Sequence, residues 1–145
     1  MTKSRRELDK ELKATEKAIA LIKVLSIVAF IIHGLFLLGV CFVLVLFFIS
    51  SESGYLHSSE RTVVLVVATI IGIFSLSAFN GVISMRKGKK KGFFYFALGS
   101  VVLAAITFVA TYFAWNQQSQ ILNVFLGLLL LFLVFALGSQ QKYLK

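Results

Sequence analysis

His33, Ser77, Asn80 and Ser100 are the polar residues of most chemical interest in this sequence, because each stands inside a long apolar run. A polar side chain in such surroundings must find a hydrogen-bond partner or cost free energy, so function or specific packing shows first at these positions. Imidazole beside a serine hydroxyl is the first half of an activated nucleophile. The segment around Ser100, ALGSVV, lacks the G-x-S-x-G elbow, however, and nothing beside it suggests oxyanion donors. Metal or haem ligation needs at least two suitably spaced ligands. The apolar runs supply only His33 and Cys41, while His57 lies between runs. Proton or ion transport draws on a membrane-embedded carboxylate or a series of polar groups, and no run contains Asp, Glu, Lys or Arg. No catalytic residue, cofactor or metal is assigned, and the chain is expected not to be an enzyme. Cys41 is read as a small buried hydrophobe.

The elements that must position these residues follow from composition. The chain has 145 residues, 59% hydrophobic and 14% charged, with a mean hydropathy of +0.92. A soluble domain would carry about 25% charged residues. Four apolar runs, Val24–Ile49, Thr62–Met85, Phe93–Trp115 and Ile121–Leu137, each approach or exceed the roughly 20 residues that cross a bilayer as helix. The expected fold class is all-α integral membrane, with four antiparallel transmembrane helices in a left-handed bundle. Spans are placed at about 21–50, 61–85, 93–115 and 120–138, forming one transmembrane domain over residues 21–138. The first is too long, and too far behind a mixed-charge segment, to be a signal peptide.

Cation placement orients the bundle. Seven Lys and Arg precede the first span and five (Arg86, Lys87, Lys89, Lys90 and Lys91) lie between the second and third. Two more follow the fourth, and only Arg61 falls on the other side. By the positive-inside rule both termini and the basic loop are cytoplasmic, in a plasma or inner cell membrane. The basic cluster is read first as a topology signal and second as a site for anionic headgroups, each cation contributing about 1 kcal/mol. Nucleic acid is not an expected partner, because so short a loop presents no groove-reading element. Phe93 to Phe96, Tyr112 and Trp115 read as aromatic belts.

Residues 1–20 form a charged amphipathic segment, opened by a capping box from Ser4 to Glu7. Leu8, Leu12, Thr15, Ile19, Ile22, Ser26, Ala29 and His33 follow one another at alternating spacings of four and three. This stripe passes into the first span without a break in phase, and the chain contains no proline. One long helix with a cytoplasmic N-terminal extension is expected. Residues 139–145 form a short basic tail.

Within a bilayer apolar side chains gain nothing over lipid, so small residues mark close helix contacts. Ala97, Ser100, Ala104, Thr107, Thr111 and Ala114 make such a stripe in the third span. The second span carries two, Ala68–Gly72–Ser75 and Ser77–Gly81–Ser84, and is expected between neighbours. The fourth, nearly all Leu, Phe and Val, is expected to face lipid. Counted inward from the flanking cations at about 1.5 Å per residue, His33, Ser77, Asn80 and Ser100 fall in one layer. Asn80 and a serine would satisfy the imidazole. The expected function is that of an accessory, scaffolding or regulatory subunit of a membrane complex, or of a homo-oligomer, acting through helix contacts. Expected partners are membrane lipids, anionic on the cytoplasmic side, and other membrane subunits or a second copy. The alternative is an oligomeric pore in which Thr107 and Thr111 line an intersubunit path. Third is lipid handling in a cleft between spans.

Overall fold

The computed structural model describes residues 5–52, 58–114 and 116–144. Lys3, Ser4, His57, Trp115 and Lys145, which carry some of the expectations above, lie outside the described residues. Among those described, the chain is all-helical. Helix α1 spans Arg5–Glu52, α2 Ser58–Arg86, α3 Lys90–Tyr112 and α4 Gln117–Ser139, followed by a 3-10 turn at Gln141–Tyr143. All four are long and apolar enough to cross a membrane.

Helix α1 has 48 residues, about 70 Å of unbroken helix at 1.5 Å per residue. Nothing in its sequence removes a backbone donor, and the apolar stripe keeps its phase throughout. The α2–α3 reversal is tighter than the sequence suggested. Gly88, at φ +77°, takes the left-handed position past the end of α2. The amide of Lys89 donates to Ser84 O at 3.0 Å and that of Gly88 to Met85 O at 2.8 Å. This pair of bonds is the Schellman arrangement, which only glycine enters without strain. Lys90 and Lys91 consequently sit in the first turn of α3, not in the loop. At the other end α3 stops at Tyr112, so Ala114 falls outside the helix whose stripe it was expected to close. Helix α4 starts at a capped turn, Asn116 Oδ1 accepting from the amide of Ser119 at 2.7 Å.

The tightest contact is between α2 and α3, where backbone meets backbone. A Cβ on Gly81 would stand 2.6 Å from Gly92 O, and one on Gly99 2.8 Å from the Ala78 Cβ. Helix α4 meets α3 through Gly127, against Thr107 Oγ1 and the Phe108 ring, and through Gly138, against the Phe93 ring. Helix α1 meets α2 through Phe30 and Phe79, with ring centroids 4.3 Å apart, and through Val40, which touches the Gly72 position. The two small stripes of α2 thus serve two neighbours: Gly72 lies against α1 and Gly81 against α3.

Buried apolar side chains fall into two clusters. One gathers Ile22 and Ala29 of α1, Val82 and Met85 of α2, Phe96 of α3, Leu133 and Leu137 of α4, and Leu144 beyond the last turn. The other joins Leu103 and Ala104 to Leu130. The expectation that α4 simply faces lipid is corrected by this packing. Gly127, Leu130, Leu133 and Leu137 form a buried edge along α4, because Leu at spacings of three and four fits the small stripe of α3. The rest of α4 is open, with Phe135 at 77% exposure. Leu130→Ala should therefore lower thermal stability in detergent by on the order of 2 kcal/mol through the cavity it leaves. Phe135→Ala should change it by less than about 0.5 kcal/mol. Equal losses in a melting experiment would show that α4 does not pack by this edge.

Candidate functional site

Among the described residues, the interior of the helical core holds five buried polar side chains: Ser26, His33, Ser75, Ser100 and Thr107. His33 is at their centre. It reaches the inner face of α1 because it continues the same stripe as Ile22, Ser26 and Ala29, and its Nε2 lies 3.0 Å from Ser100 Oγ on α3. The imidazole packs edge-on to the Phe96 ring, with centroids 5.7 Å apart and planes at 89°. The Phe36 ring flanks it at 6.4 Å. An aromatic edge-to-face contact of this kind adds about 0.5–1.5 kcal/mol beyond area burial.

The expected layer of His33, Ser77, Asn80 and Ser100 is only half assembled. Ser100 is the partner of His33, as one serine was expected to be. Ser77 is turned toward α3 and donates to Tyr95 O at 3.4 Å, a long bond made with backbone. Asn80 is exposed on α2 and does not reach the imidazole. Helix α2 is rotated so that the face carrying Ala78, Gly81 and Val82 points inward. Ser75 takes the inward place instead. It follows Phe74, whose carbonyl meets the Gly99 position, and so stands level with Ser100. Helical phase sets Ser75 apart from Asn80, since Ser75, Ala78 and Val82 share one face at spacings of three and four, but it does not say which face turns inward.

Three atoms of this interior, His33 Nδ1, Ser26 Oγ and Ser75 Oγ, have no hydrogen-bond partner among the described residues. The two serines are readily satisfied, because a helical hydroxyl can turn to the carbonyl one turn back. Thr69 does so to Leu65 O at 2.7 Å, and Thr111 to Thr107 O at 2.9 Å. His33 Nδ1 has no such option. The pair resembles a nucleophile and its base in distance alone. No described residue orients the second ring nitrogen, and Ser100 sits mid-helix, where its backbone donor is committed to the helix ladder. The arrangement suits a clasp between α1 and α3 better than a reaction centre.

Of the packing stripe, Ser100, Ala104 and Thr107 are buried, while Ala97, Thr111 and Ala114 are partly so. Two residues missed as packing signals are Gly92 and Gly99. They lie seven apart on α3, and with Gly81 they bring backbone closest to backbone among the described glycines. That heptad spacing was available in the sequence. Arg86, Lys87, Lys89, Lys90 and Lys91 are all exposed, clustered about the α2–α3 turn. Cys41, expected to be buried, is exposed on α1, because the C-terminal half of α1 has α2 on one side only. The described residues contain no group of three or more His, Cys, Asp or Glu able to hold a metal ion.

That one-sided cover opens a groove of about 610 Å³. Ile32, Phe36 and Val40 of α1, Val64 and Ala68 of α2, and Leu126 of α4 line it, and its surface is almost wholly apolar. It exists because α1 and α4 touch only sparsely. No family model, curated protein or solved structure matches the chain.

Proposed function

We propose that the chain is a four-span integral membrane protein with both termini in the cytoplasm, its spans antiparallel neighbours in a left-handed bundle. It acts without catalysis, as an accessory or regulatory subunit held to its complex by helix contacts. The helix pairings support the bundle: contacts descend α2 (Met85, Ala78, Phe74) as they ascend α3 (Gly92 to Gly99). The cation asymmetry supports the orientation.

The observation that carries the subunit reading is the N-terminal part of α1. Residues 5–17 project as helix, with every side chain exposed or half-exposed, for about 20 Å. Leu8 and Leu12 lie on it, outside the apolar span. Lipid covers apolar side chains within the bilayer, but in the cytoplasm only another protein surface or the membrane face can do so. Native mass spectrometry of the protein, extracted gently from its own membrane, tests the reading. A defined complex with other subunits, or a fixed oligomer, is the expected result; a lone chain would remove it.

Lipid handling is the second reading, favoured by the apolar groove between α1, α2 and α4. A single phospholipid or sterol retained on the lone chain would move the assignment there. The pore alternative loses ground. Thr107 lies against Gly127 of the same chain, and its hydroxyl donates to Ala104 O at 2.8 Å, so it is not free to line a path between copies.

A further inference from the structure

The charges around the exposed end of α1 are sorted by sign. At 100° per residue, Leu8, Leu12, Thr15 and Ile19 form one stripe about 60° wide, the a and d positions of two heptads. Glu11 stands at one shoulder, with Glu7 beyond it. Asp9 and Glu16 stand at the other. Arg6, Lys10, Lys13 and Lys17 all lie on the opposite face. Two cations depart from this sorting: Arg5, at the a position one heptad before Leu12, and Lys23, at the e position one heptad after Glu16. Leu8 is 58% and Leu12 62% exposed. Farther along the same stripe Ile22 is buried against the core cluster that includes Leu144. The seam therefore begins inside the folded core and emerges from it with its apolar edge uncovered.

Resting on the reading of this chain as a membrane subunit, we propose that the projecting end of α1 docks a partner helix whose apolar seam is flanked by Lys or Arg. Flanking charges at e and g positions set partner choice in coiled coils. A second copy is disfavoured, because Glu11 would meet Glu16 of that copy in a parallel pair, and acidic shoulders would also meet in an antiparallel one. An anionic membrane surface is disfavoured for the same reason: helices that lie on it place Lys and Arg, not carboxylates, beside the apolar face. Because α1 is held as helix by the core below, the partner need not order it on binding, which lowers the entropic cost of a short interface.

The test uses the full chain in phosphatidylcholine nanodiscs. The probe is a labelled synthetic helix of about four heptads with Leu and Ile at a and d and Lys at e and g. Its control carries Glu at e and g. Fluorescence anisotropy should show the Lys-flanked helix binding on the order of tenfold more tightly than the Glu-flanked one, with the gap narrowing at high salt. Leu12→Asp should weaken binding at least about tenfold. Asp9→Lys combined with Glu16→Lys should reverse the preference. All these positions are exposed, so the variants should melt as the unaltered protein does. Equal binding of the two helices, binding of neither, or indifference to Leu12→Asp would overturn the proposal. So would Leu12-dependent self-association in sedimentation, or Leu12-dependent adsorption to phosphatidylserine vesicles. The subunit reading is scored separately by native mass spectrometry. A native complex that survives Leu12→Asp keeps that reading and overturns this one. Peptide preference without any native complex upholds the surface chemistry and removes the subunit reading.

Discussion

Gly81→Val should unfold the α2–α3 contact, and with it most of the bundle's resistance to heat in detergent. The position has no give. A Cβ there would stand 2.6 Å from Gly92 O and 2.8 Å from Phe96 Cα, and both are backbone atoms of a neighbouring helix. Relief requires the helices to separate, and separation removes the packing of Val82, Met85 and Phe96 on α4 and α1. Overpacking of well-packed interiors costs about 1–3 kcal/mol when side chains can shift. Here they cannot, so a loss of at least about 3 kcal/mol is expected for valine, and near the top of that range for alanine. Gly34→Ala is the matched control. Nothing lies within 4 Å of a Cβ at Gly34, so alanine there should be neutral or stabilise by up to about 1 kcal/mol through helix propensity. Comparable melting temperatures for Gly81→Ala and Gly34→Ala would show that the close approach of α2 and α3 is not what holds them.

The number of helices, their approximate ends and the continuity of α1 were legible because each depends on one-dimensional quantities: run length, the absence of proline and an unbroken stripe. The rotation of each helix about its axis was not. Asn80 and Ser75 differ by five residues, about 140° around α2, and both are flanked by small residues that would suit an interface. Choosing between them requires knowing that Gly81 docks on α3 and Gly72 on α1. The sequence pattern offers both stripes and ranks neither. Leu130 escaped for a related reason. In a bilayer the apolar character of a residue no longer distinguishes core from surface, so a helix made of Leu and Phe reads the same on every side. Only the smallness of its neighbour, at Ala104 and Thr107, reveals which edge is buried.

His33→Ala should produce the second large loss, and its division into parts decides what the buried polar centre is for. Removing the ring leaves a cavity beside Phe96 and Phe36, so a destabilisation of about 2–4 kcal/mol is expected. Ser100→Ala removes the hydroxyl 3.0 Å from Nε2 and leaves the buried imidazole without a partner, so it should cost about 1–3 kcal/mol, of which the pairwise part averages about 0.6 kcal/mol for hydrogen bonds between membrane helices. The double variant closes a thermodynamic cycle. A coupling near that value means that the two residues contribute to stability as a clasp joining α1 to α3. His33→Phe then becomes informative, because it keeps most of the ring packing and loses only the bond and the free Nδ1. If His33→Phe retains stability within about 1 kcal/mol and the native complex still forms, the imidazole is structural. If stability holds but the proposed complex or its cellular activity is lost, the polar atoms of the imidazole, the unpartnered Nδ1 among them, are what matter. A coupling indistinguishable from zero would mean that His33 and Ser100 are neighbours by packing alone, and that α1 is held to the bundle by its rings and by Ile22, not by this bond.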